Sequence, residues 1–399
     1  MTTFTPSTPA EVLDALAWAA ADEQPVEIRG HGSRRGVGRP VQAAHTLDLS
    51  ELSGISLYEP AELVLSARAG TPLAEIERLL AENGQELAFE PLDCGPLFGQ
   101  LAGRGTLGGV LASNASGPRR IKAGAARDHI LGVSAVSGRG EAFKAGGRVV
   151  KNVTGFDLSK LMAGSWGTLA AVTDLTFKVL PRAETEATLA LRGLTDEAAA
   201  AAMSLALGSP AEISGAAHLP ETVPPRLGES WSSDAATLLR VEGFGPSVAD
   251  RAKRLRDLLR NAGEIEDLDA ETSRAAWKAV RDVLPFADGT ERPVWRVSTA
   301  PSEGWKLVAV LRQGEGADAF YDWGGGLVWL RMEADPEAEA VRALTKHFGG
   351  HATLFRASPA HRAAVPVFEP QPPALAALSA RLKAQFDPKN ILNPGRMSA

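Results

Sequence analysis

The sequence contains a single cysteine, Cys94, among 399 residues. A lone thiol excludes an internal disulfide, a four-cysteine zinc site and a cysteine-ligated iron–sulfur cluster held by this chain alone. Long apolar runs are also missing, since stretches such as 161–172 end well short of the roughly 20 residues that span a bilayer. The N-terminus shows neither a basic segment before an apolar one nor a twin-arginine pair. We therefore expect a cytoplasmic protein, peripheral on the inner face of the membrane at most through partners.

Positive charge is in deficit as well. The chain has 42 lysines and arginines against 48 aspartates and glutamates, a formal net charge of −6. Nucleic acid and anionic lipid attract proteins with an excess of cations, so we do not expect a nucleic-acid-binding protein. Hydrophobic residues make up 44% of the chain, which predicts a globular protein with a substantial core. The length predicts two or three domains, at about 150 residues each.

Helix and strand signals alternate along the chain. Thr8 before Pro9 predicts the start of a helix, and the apolar alternation of Val26–Arg29 predicts a strand. Thr71 as the cap and Gly84 at the end predict a second helix. After a boundary at Pro181, strands and helices alternate without large glycine-rich loops, which predicts an α+β fold.

Three glycine-rich segments lie before that boundary, at 30–36, 103–117 and 163–173. Glycine lets backbone N–H groups approach phosphate oxygens closely, because no Cβ intervenes. The first segment matches neither a Walker loop nor a Rossmann fingerprint. A plain glycine-rich hairpin turn is the alternative reading of that segment. The three segments together indicate one long ligand lying across the first 181 residues.

The segments RGHGSRRG, GRGTLGGVLASNASG and KNVTGFDLSKLMAGSWGTLAAVTDLTFKVLP, followed by FDPKNILNPGRM at the C-terminus, resemble the vanillyl-alcohol-oxidase-type (PCMH-type) flavoproteins. The likeness covers nearly all of 5–181 and the tail 385–397. Within the family, GGRVVKNVTGFDLSKLM and GGHATLFR are most similar to FAD-binding subunits of bacterial glycolate oxidases. The resemblance implies a two-subdomain FAD-binding domain over 1–181, an α+β cap domain over 182–384 and a tail, 385–399, that returns to the flavin.

The resemblance also implies noncovalent FAD, because neither His31 nor Cys94 matches a flavin attachment site of the family. It assigns three groups of residues to the cofactor. The pyrophosphate would lie on Arg29, Gly30, His31, Gly32, Ser33 and Arg34. The flavin and ribityl chain would lie on Gly108, Gly109, Ala112, Ser113, Asn114 and Gly117. Further contacts would come from Leu92, Asp93, Arg127, Asp128, Gly167, Val172 and Asn390.

By the same resemblance, the chain is a subunit of a glycolate oxidase that oxidises glycolate to glyoxylate and passes electrons through an iron–sulfur partner. Relatives that oxidise 2-hydroxy acids by themselves carry a Gly-Asp-Gly-Asn-x-His motif, which this sequence lacks. Only His351 and Arg356 remain as a base and a carboxylate clamp. We therefore expect a weakly active or inactive isolated chain that works beside a sister flavin subunit.

Two alternatives stay open: a self-sufficient flavin-dependent 2-hydroxyacid oxidase, and a flavin-bearing assembly subunit without turnover of its own. No metal site is predicted. His347 and His351 have a helical metal-ligand spacing, but Gly349 and Gly350 between them predict the end of the helix.

Overall fold

A computed structural model describes residues 2–149, 156–228, 231 and 233–398 of the chain. Positions 151–155, in the motif KNVTGF, lie outside the described residues. In chain order the strands are β1 (Thr2–Phe4), β2 (Val26–Arg29), β3 (His45–Asp48), β4 (Ile55–Glu59), β5 (Val64–Arg68), β6 (Gln85–Glu86), β7 (Ile130–Ser137), β8 (Ala142–Gly146), β9 (Ala170–Lys178), β10 (Leu180–Pro181), β11 (Thr185–Arg192), β12 (Gly215–Leu219), β13 (Ala236–Gly243), β14 (Glu264–Leu268), β15 (Val294–Ser298), β16 (Asp318–Asp322), β17 (Leu327–Arg331) and β18 (His351–Arg356).

The helices connect and cover these strands. In chain order they are α1 (Pro9–Ala21), α2 (Leu73–Glu82), α3 (Leu107–Ser113), α4 (Arg120–Ala123), α5 (Ala126–His129), α6 (Leu158–Met162), α7 (Asp196–Leu207), α8 (Gly245–Leu259), α9 (Ala270–Arg281), α10 (Gly304–Glu315), α11 (Ala338–Phe348), α12 (Pro359–Ala364) and α13 (Pro373–Phe386). Within the described ranges, no helix is both long and apolar enough to cross a membrane.

The N-terminal region, residues 2–181, contains two main sheets. One is the parallel sheet β1-β3-β2, on which α1 packs through Val12 and Leu16. The other is the antiparallel sheet β4-β5-β9-β7-β8, whose core is shared with α2 and α3. The C-terminal tail returns to the first sheet, because Leu392 pairs with Val26 in a parallel bridge and is buried in the same core.

The cap region, residues 182–384, is built on one antiparallel sheet in the order β14-β11-β13-β12-β16-β17-β15-β18. One face is covered by helices: α7 and α8 at one end, α10 and α11 at the other. The opposite face shares a core with Leu92, Cys94 and Leu97 of the N-terminal region. Since side chains alternate between the faces of a sheet, Trp295 points to the helices and Arg296 to the N-terminal region.

The mixed α+β class predicted from the sequence is confirmed. The sequence also predicted a boundary at Pro181. There, β10 ends while paired with β6 of the N-terminal region, whereas β11 starts four residues later in the eight-stranded sheet. The change of sheet falls at the expected position, and the division into a FAD domain, a cap domain and a tail stays a prediction.

Capping chemistry explains which helix predictions succeeded. Thr8 caps α1 as predicted, since its side-chain oxygen accepts the N–H of Glu11. Thr71 does not cap α2, because its hydroxyl is engaged with the backbone of Gly54. Helix α3 was not predicted: its glycines hid the periodicity, and its start is fixed by Thr106, whose Oγ1 accepts the N–H of Gly109 at 3.2 Å.

A buried network of charges joins the N-terminal region to the cap region. Arg240 on β13 donates to both carboxylate oxygens of Glu90, at 2.9 and 3.0 Å, and Arg119 binds Glu242. Burial alone would raise the pKa of Glu242, but the charge of Arg240 and hydrogen bonds from Arg119 lower it to about 2. The pKa of Glu90 is also lowered, since the charges of Arg240 and Arg119 outweigh the effect of burial. Carboxylates held ionised in this way stabilise the fold above their unfolded pKa near 4.5, and that contribution is lost as the pH falls towards 2.

We predict that Glu90→Gln lowers the free energy of unfolding at pH 7 by about 3–5 kcal/mol, because it leaves Arg240 buried without its full counter-charge. The variant should also lose less stability than the parent between pH 5 and pH 3. Thermal unfolding across that pH range checks both effects. Glu266→Gln removes an exposed partner of Arg192 and is the matched control, with an expected cost under about 1 kcal/mol. Equal effects of the two substitutions would contradict the prediction.

Candidate functional site

A cleft that is open to solvent lies in the N-terminal region, and small-molecule sites in proteins are concave pockets of this kind. Its walls come from the end of β2 and the loop after it, from α3, from the segment before β9 and from the C-terminal tail. The residues that line it are Glu27, Ile28, Arg29, Gly30, His31, Gly32, Ser33, Arg34, Arg35, Leu49, Ala69, Thr106, Gly108, Gly109, Ala112, Met162, Ser165, Trp166, Gly167, Ala170, Val172 and Arg396.

The loop after β2 is held by ion pairs at both of its ends. Arg29 pairs with Asp48 at 2.9 Å, and Arg35 pairs with Glu27 at 2.7 Å. Between them, the backbone N–H groups of 31–34 have no hydrogen-bond partner among the described residues. Gly32 adopts a φ of +79°, which a side chain with a Cβ adopts only with strain. The loop therefore presents a run of free N–H donors on a fixed backbone.

Arg34 adds a buried positive charge to this wall. One of its terminal nitrogens donates to the carbonyl of Leu92, whereas Nε and Nη1 have no partner in the described part of the chain. The Nη1 atom would lie 3.2 Å from a Cβ at Gly109, so the absence of a side chain there leaves the guanidinium room. A buried cation with two unused donors favours an anionic ligand group.

Helix α3 forms another wall of the cleft and packs closely on the segment that follows β5. A Cβ at Gly108 would lie 2.9 Å from both the Cβ and the carbonyl oxygen of Ala69. The glycine thus lets the helix pack directly on the backbone after β5. From this wall the backbone carbonyl of Ala112 accepts the backbone N–H of Trp166 at 2.9 Å, which holds Trp166 among the lining residues of the cleft.

The C-terminal tail completes the site through two side chains. Asn393 accepts the N–H of Ile28 and donates to the carbonyl of Trp166, both at 2.8 Å. Arg396 is buried, donates to the carbonyl of Arg34 at 2.9 Å and stacks over Trp166 with 5.6 Å to the ring centroid. Burial lowers the pKa of Arg396 to about 10. The Nε of Arg396 has no partner within the described residues.

These features fit an elongated ligand with an anionic middle and a flat ring. The free N–H groups of 31–34 and the unused donors of Arg34 and Arg396 suit a diphosphate. Leu49, Met162 and Val172 supply apolar surface for ring systems. The residues present therefore fit FAD.

The structure brings eleven of the residues predicted to bind the cofactor to the cleft. They are Arg29, Gly30, His31, Gly32, Ser33, Arg34, Gly108, Gly109, Ala112, Gly167 and Val172. Their contact with FAD itself stays a prediction.

The other predicted residues shape the surroundings and do not line the cleft. Leu92 holds Arg34 through its carbonyl, and the carboxylate of Asp93 accepts the N–H groups of Gly95 and Gly103. Ser113 donates back to the carbonyl of Gly109 at 2.7 Å, within α3.

The remaining residues of that prediction serve turns. Asn114 ends α3 in the left-handed region, and its side chain accepts the N–H of Arg127, which is exposed. Asp128 accepts the N–H of Ala125 at 2.8 Å. Gly117 lies against the backbone of Glu90, because a Cβ at Gly117 would be 2.7 Å from the carbonyl oxygen of Glu90. Asn390 lies in an exposed turn with φ +52°, and the tail side chains that reach the cleft region are those of Asn393 and Arg396 instead.

The structure does not bring His351 and Arg356 together, contrary to the pairing that the sequence predicted. They occupy the two ends of β18, roughly 16 Å apart at the rise of a strand. His351 is exposed, whereas Arg356 is buried and donates to the carbonyls of Phe286, Arg292 and Leu97 at 2.6, 2.9 and 3.2 Å. Arg356 therefore ties the cap to the N-terminal region, and its guanidinium is not available as a partner of His351 for a small acid.

Sequence reasoning missed several residues of the site. Thr106, Ser165 and Trp166 lie within the glycine-rich segments but are not glycines, and they were passed over for that reason. Arg396 lies in the tail motif FDPKNILNPGRM, where the arginine in a Gly-Arg pair after a proline was a usable signal. Met162, at the end of α6, offered no signal beyond its place beside the third glycine-rich segment.

Comparisons with known proteins agree with this geometry. Residues 2–146 match the family described as FAD binding domain. The chain is similar to glycolate oxidase subunit GlcE of Escherichia coli (36% identity over 391 residues, 97% of each chain) and to D-lactate dehydrogenase of Archaeoglobus fulgidus (26% identity, 98% of this chain and 90% of the relative). Among solved structures it resembles 4-ethylphenol oxidase from Gulosibacter chungangensis, with a TM-score of 0.74 and 12% identity over 99% of this chain and 88% of that one, a likeness of fold.

We predict that Gly32→Val lowers the FAD content of the purified protein by at least about tenfold. The valine would be strained at a positive φ and would stand over the free N–H groups of the loop. Gly84→Val is the matched control, because Gly84 has a φ of +64° and equally open surroundings but lies outside the cleft. Absorbance of bound flavin relative to protein measures the difference. Full flavin content in Gly32→Val would show that this loop does not hold the cofactor.

Proposed function

The chain belongs to the family of FAD-binding flavoproteins that includes glycolate oxidase subunit GlcE, and on that premise we propose that it is the FAD-binding subunit of a glycolate oxidase complex. The observation that carries the proposal is the similarity to GlcE over 97% of both chains. The cleft, whose unused donors suit a diphosphate, is consistent with it. In the complex, glycolate would be oxidised to glyoxylate and electrons would leave through an iron–sulfur partner.

The residues of this chain would hold the cofactor without a covalent bond. The N–H groups of 31–34 and the guanidinium of Arg34 would bind the diphosphate, and Trp166 with Arg396 would close one side of the cleft. When bound, FAD supplies the acceptor for a hydride from a 2-hydroxy acid. Arg34 and Arg396 are buried, so their contacts with a bound anion would be stronger than contacts made in water.

A sister flavin subunit is the proposed site of substrate turnover. The base that must take the hydroxyl proton has no evident place here, since His351 is exposed and far from Arg356. The alternative of a self-sufficient flavin-dependent 2-hydroxyacid oxidase draws support from the similarity to D-lactate dehydrogenase, a relative matched along 98% of this chain. The rate of flavin reduction in the isolated chain separates the two proposals.

We predict that acid precipitation of the yellow purified protein releases FAD into the supernatant, because no residue of the cleft is proposed to bond covalently to the flavin. The absorbance spectrum of the supernatant and pellet checks this result. Flavin retained in the pellet would contradict noncovalent binding. A colourless protein that also fails to bind added FAD would contradict the proposed function as a whole.

We predict that glycolate reduces the flavin of the isolated chain at least about 10²-fold more slowly than it reduces the flavin of the chain co-expressed with its sister and iron–sulfur subunits, since a positioned base contributes about 10²–10⁴-fold. Stopped-flow absorbance of the flavin gives both rates. Fast reduction in the isolated chain that is lost in His351→Ala would move substrate turnover to this subunit. His347→Ala, in α11, is the control for a nearby histidine.

A further inference from the structure

Two arginines at the junction of the two regions stand out from the other buried arginines of the chain. Arg296 lies on β15, on the sheet face that is turned towards the N-terminal region, opposite Trp329 and Thr353 in register. Arg120 begins α4 in the N-terminal region. One therefore comes from each side of the junction.

Both arginines contact the same indole. The guanidinium carbon of Arg120 lies 4.6 Å from the centroid of the Trp323 ring, and that of Arg296 lies 5.0 Å from it. The ring is held in place by the bond from its Nε1 to the carbonyl of Gly117, at 3.0 Å. Trp323 is 9% exposed, so it fixes the two cations in a mostly buried setting.

Neither guanidinium group has an ion pair or a hydrogen bond within the described ranges of the chain. By contrast, the half-buried Arg119 and the buried Arg240 and Arg331 each meet two or more carboxylates. Both Arg120 and Arg296 are only partly buried, so that a solute can reach their nitrogens.

The lack of an ion-pair partner for these two arginines costs free energy in their surroundings. Burial, followed by the charge of Arg120, lowers the pKa of Arg296 to about 10. The nearby carboxyl of Asp322 does not offset the charge fully, because burial raises its pKa to about 7 and its Oδ1 already accepts the N–H of Trp323. A cation that is partly withdrawn from water and has no ion-pair partner favours the binding of an anion.

The position of the pair relates it to the cleft. The carbonyl of Leu92 accepts a hydrogen bond from Arg34, in the wall of the cleft. The same core holds Leu92 and Cys94 of the N-terminal region together with Trp323 and Trp329 of the cap.

We propose that Arg120 and Arg296 bind the carboxylate of a small organic acid at the junction of the N-terminal and cap regions, beside the indole of Trp323 that both contact. Each guanidinium group can donate two parallel N–H groups to a carboxylate, and arginine is the side chain best suited to this bidentate pairing. The identification of the acid as a 2-hydroxy acid such as glycolate rests on the proposed function. The binding of a carboxylate at this position does not depend on the proposed function.

The test is calorimetric titration of the purified FAD-containing protein with oxalate and, separately, with glycolate, against chloride at matched ionic strength. We expect oxalate to bind and the affinity to fall at least about tenfold in Arg296→Gln and in Arg120→Gln, with unchanged flavin content. Arg296→Lys and Arg120→Lys, which keep the charge, should recover part of the loss. Arg254→Gln, on an exposed part of α8, is the control and should bind as the parent does.

Each outcome decides the proposal. No binding of oxalate beyond that of chloride, or equal binding by the parent and both glutamine variants, would overturn it. Should a glutamine variant fail to fold, the lysine variant and the other arginine give the same answer. Oxalate binding that depends on both arginines in a protein that glycolate cannot reduce, or that lacks FAD, would support the carboxylate site while the proposed function failed separately.

Discussion

The side-chain amide of Asn393 holds together the segments on which the cleft depends. It bonds at once to Ile28, just before the loop after β2, and to Trp166, in the loop before β9. These two loops are about 130 residues apart in sequence, and the tail arrives from more than 200 residues further on. These two directed hydrogen bonds fix the spacing of the segments more sharply than apolar packing alone would. The position of 31–34 relative to the loop before β9 therefore depends on where the tail docks.

The tail itself is prepared for docking by local chemistry. The buried carboxylate of Asp387 accepts the N–H groups of Ile391 and Leu392, at 3.0 and 2.8 Å, and so shapes the turn that follows α13. Lys383, one helical turn earlier, donates to the carbonyls of Thr168 and Leu392 at 2.7 and 3.1 Å. The motif FDPKNILNPGRM is therefore a structural element that closes the cleft, with Arg396 at its end as the contribution to the site.

Features that neighbouring residues determine could be predicted from the sequence, whereas the spatial arrangement of side chains from separate positions could not. The helix cap at Thr8, the strand at Val26–Arg29 and the glycine-rich loops were predictable because short-range sterics determine them. The start of α3 was hidden by its own glycines. The separation of His351 from Arg356 was missed because both lie on one strand, where sequence proximity suggested a pair that the extended backbone pulls apart. The junction of Arg120 with Arg296 joins residues 176 positions apart, and no local pattern signals it.

The central claim is that the loop after β2, α3, the loop before β9 and the C-terminal tail act together as one FAD site. Hydrogen–deuterium exchange of the chain with and without FAD tests this claim most directly, because exchange reports protection of backbone N–H groups segment by segment. The account predicts joint protection by FAD of 30–36, 105–113, 165–170 and 391–397, with no change in the exposed N-terminal half of α13. Protection that leaves out the tail, or that appears in α9 instead, would contradict it.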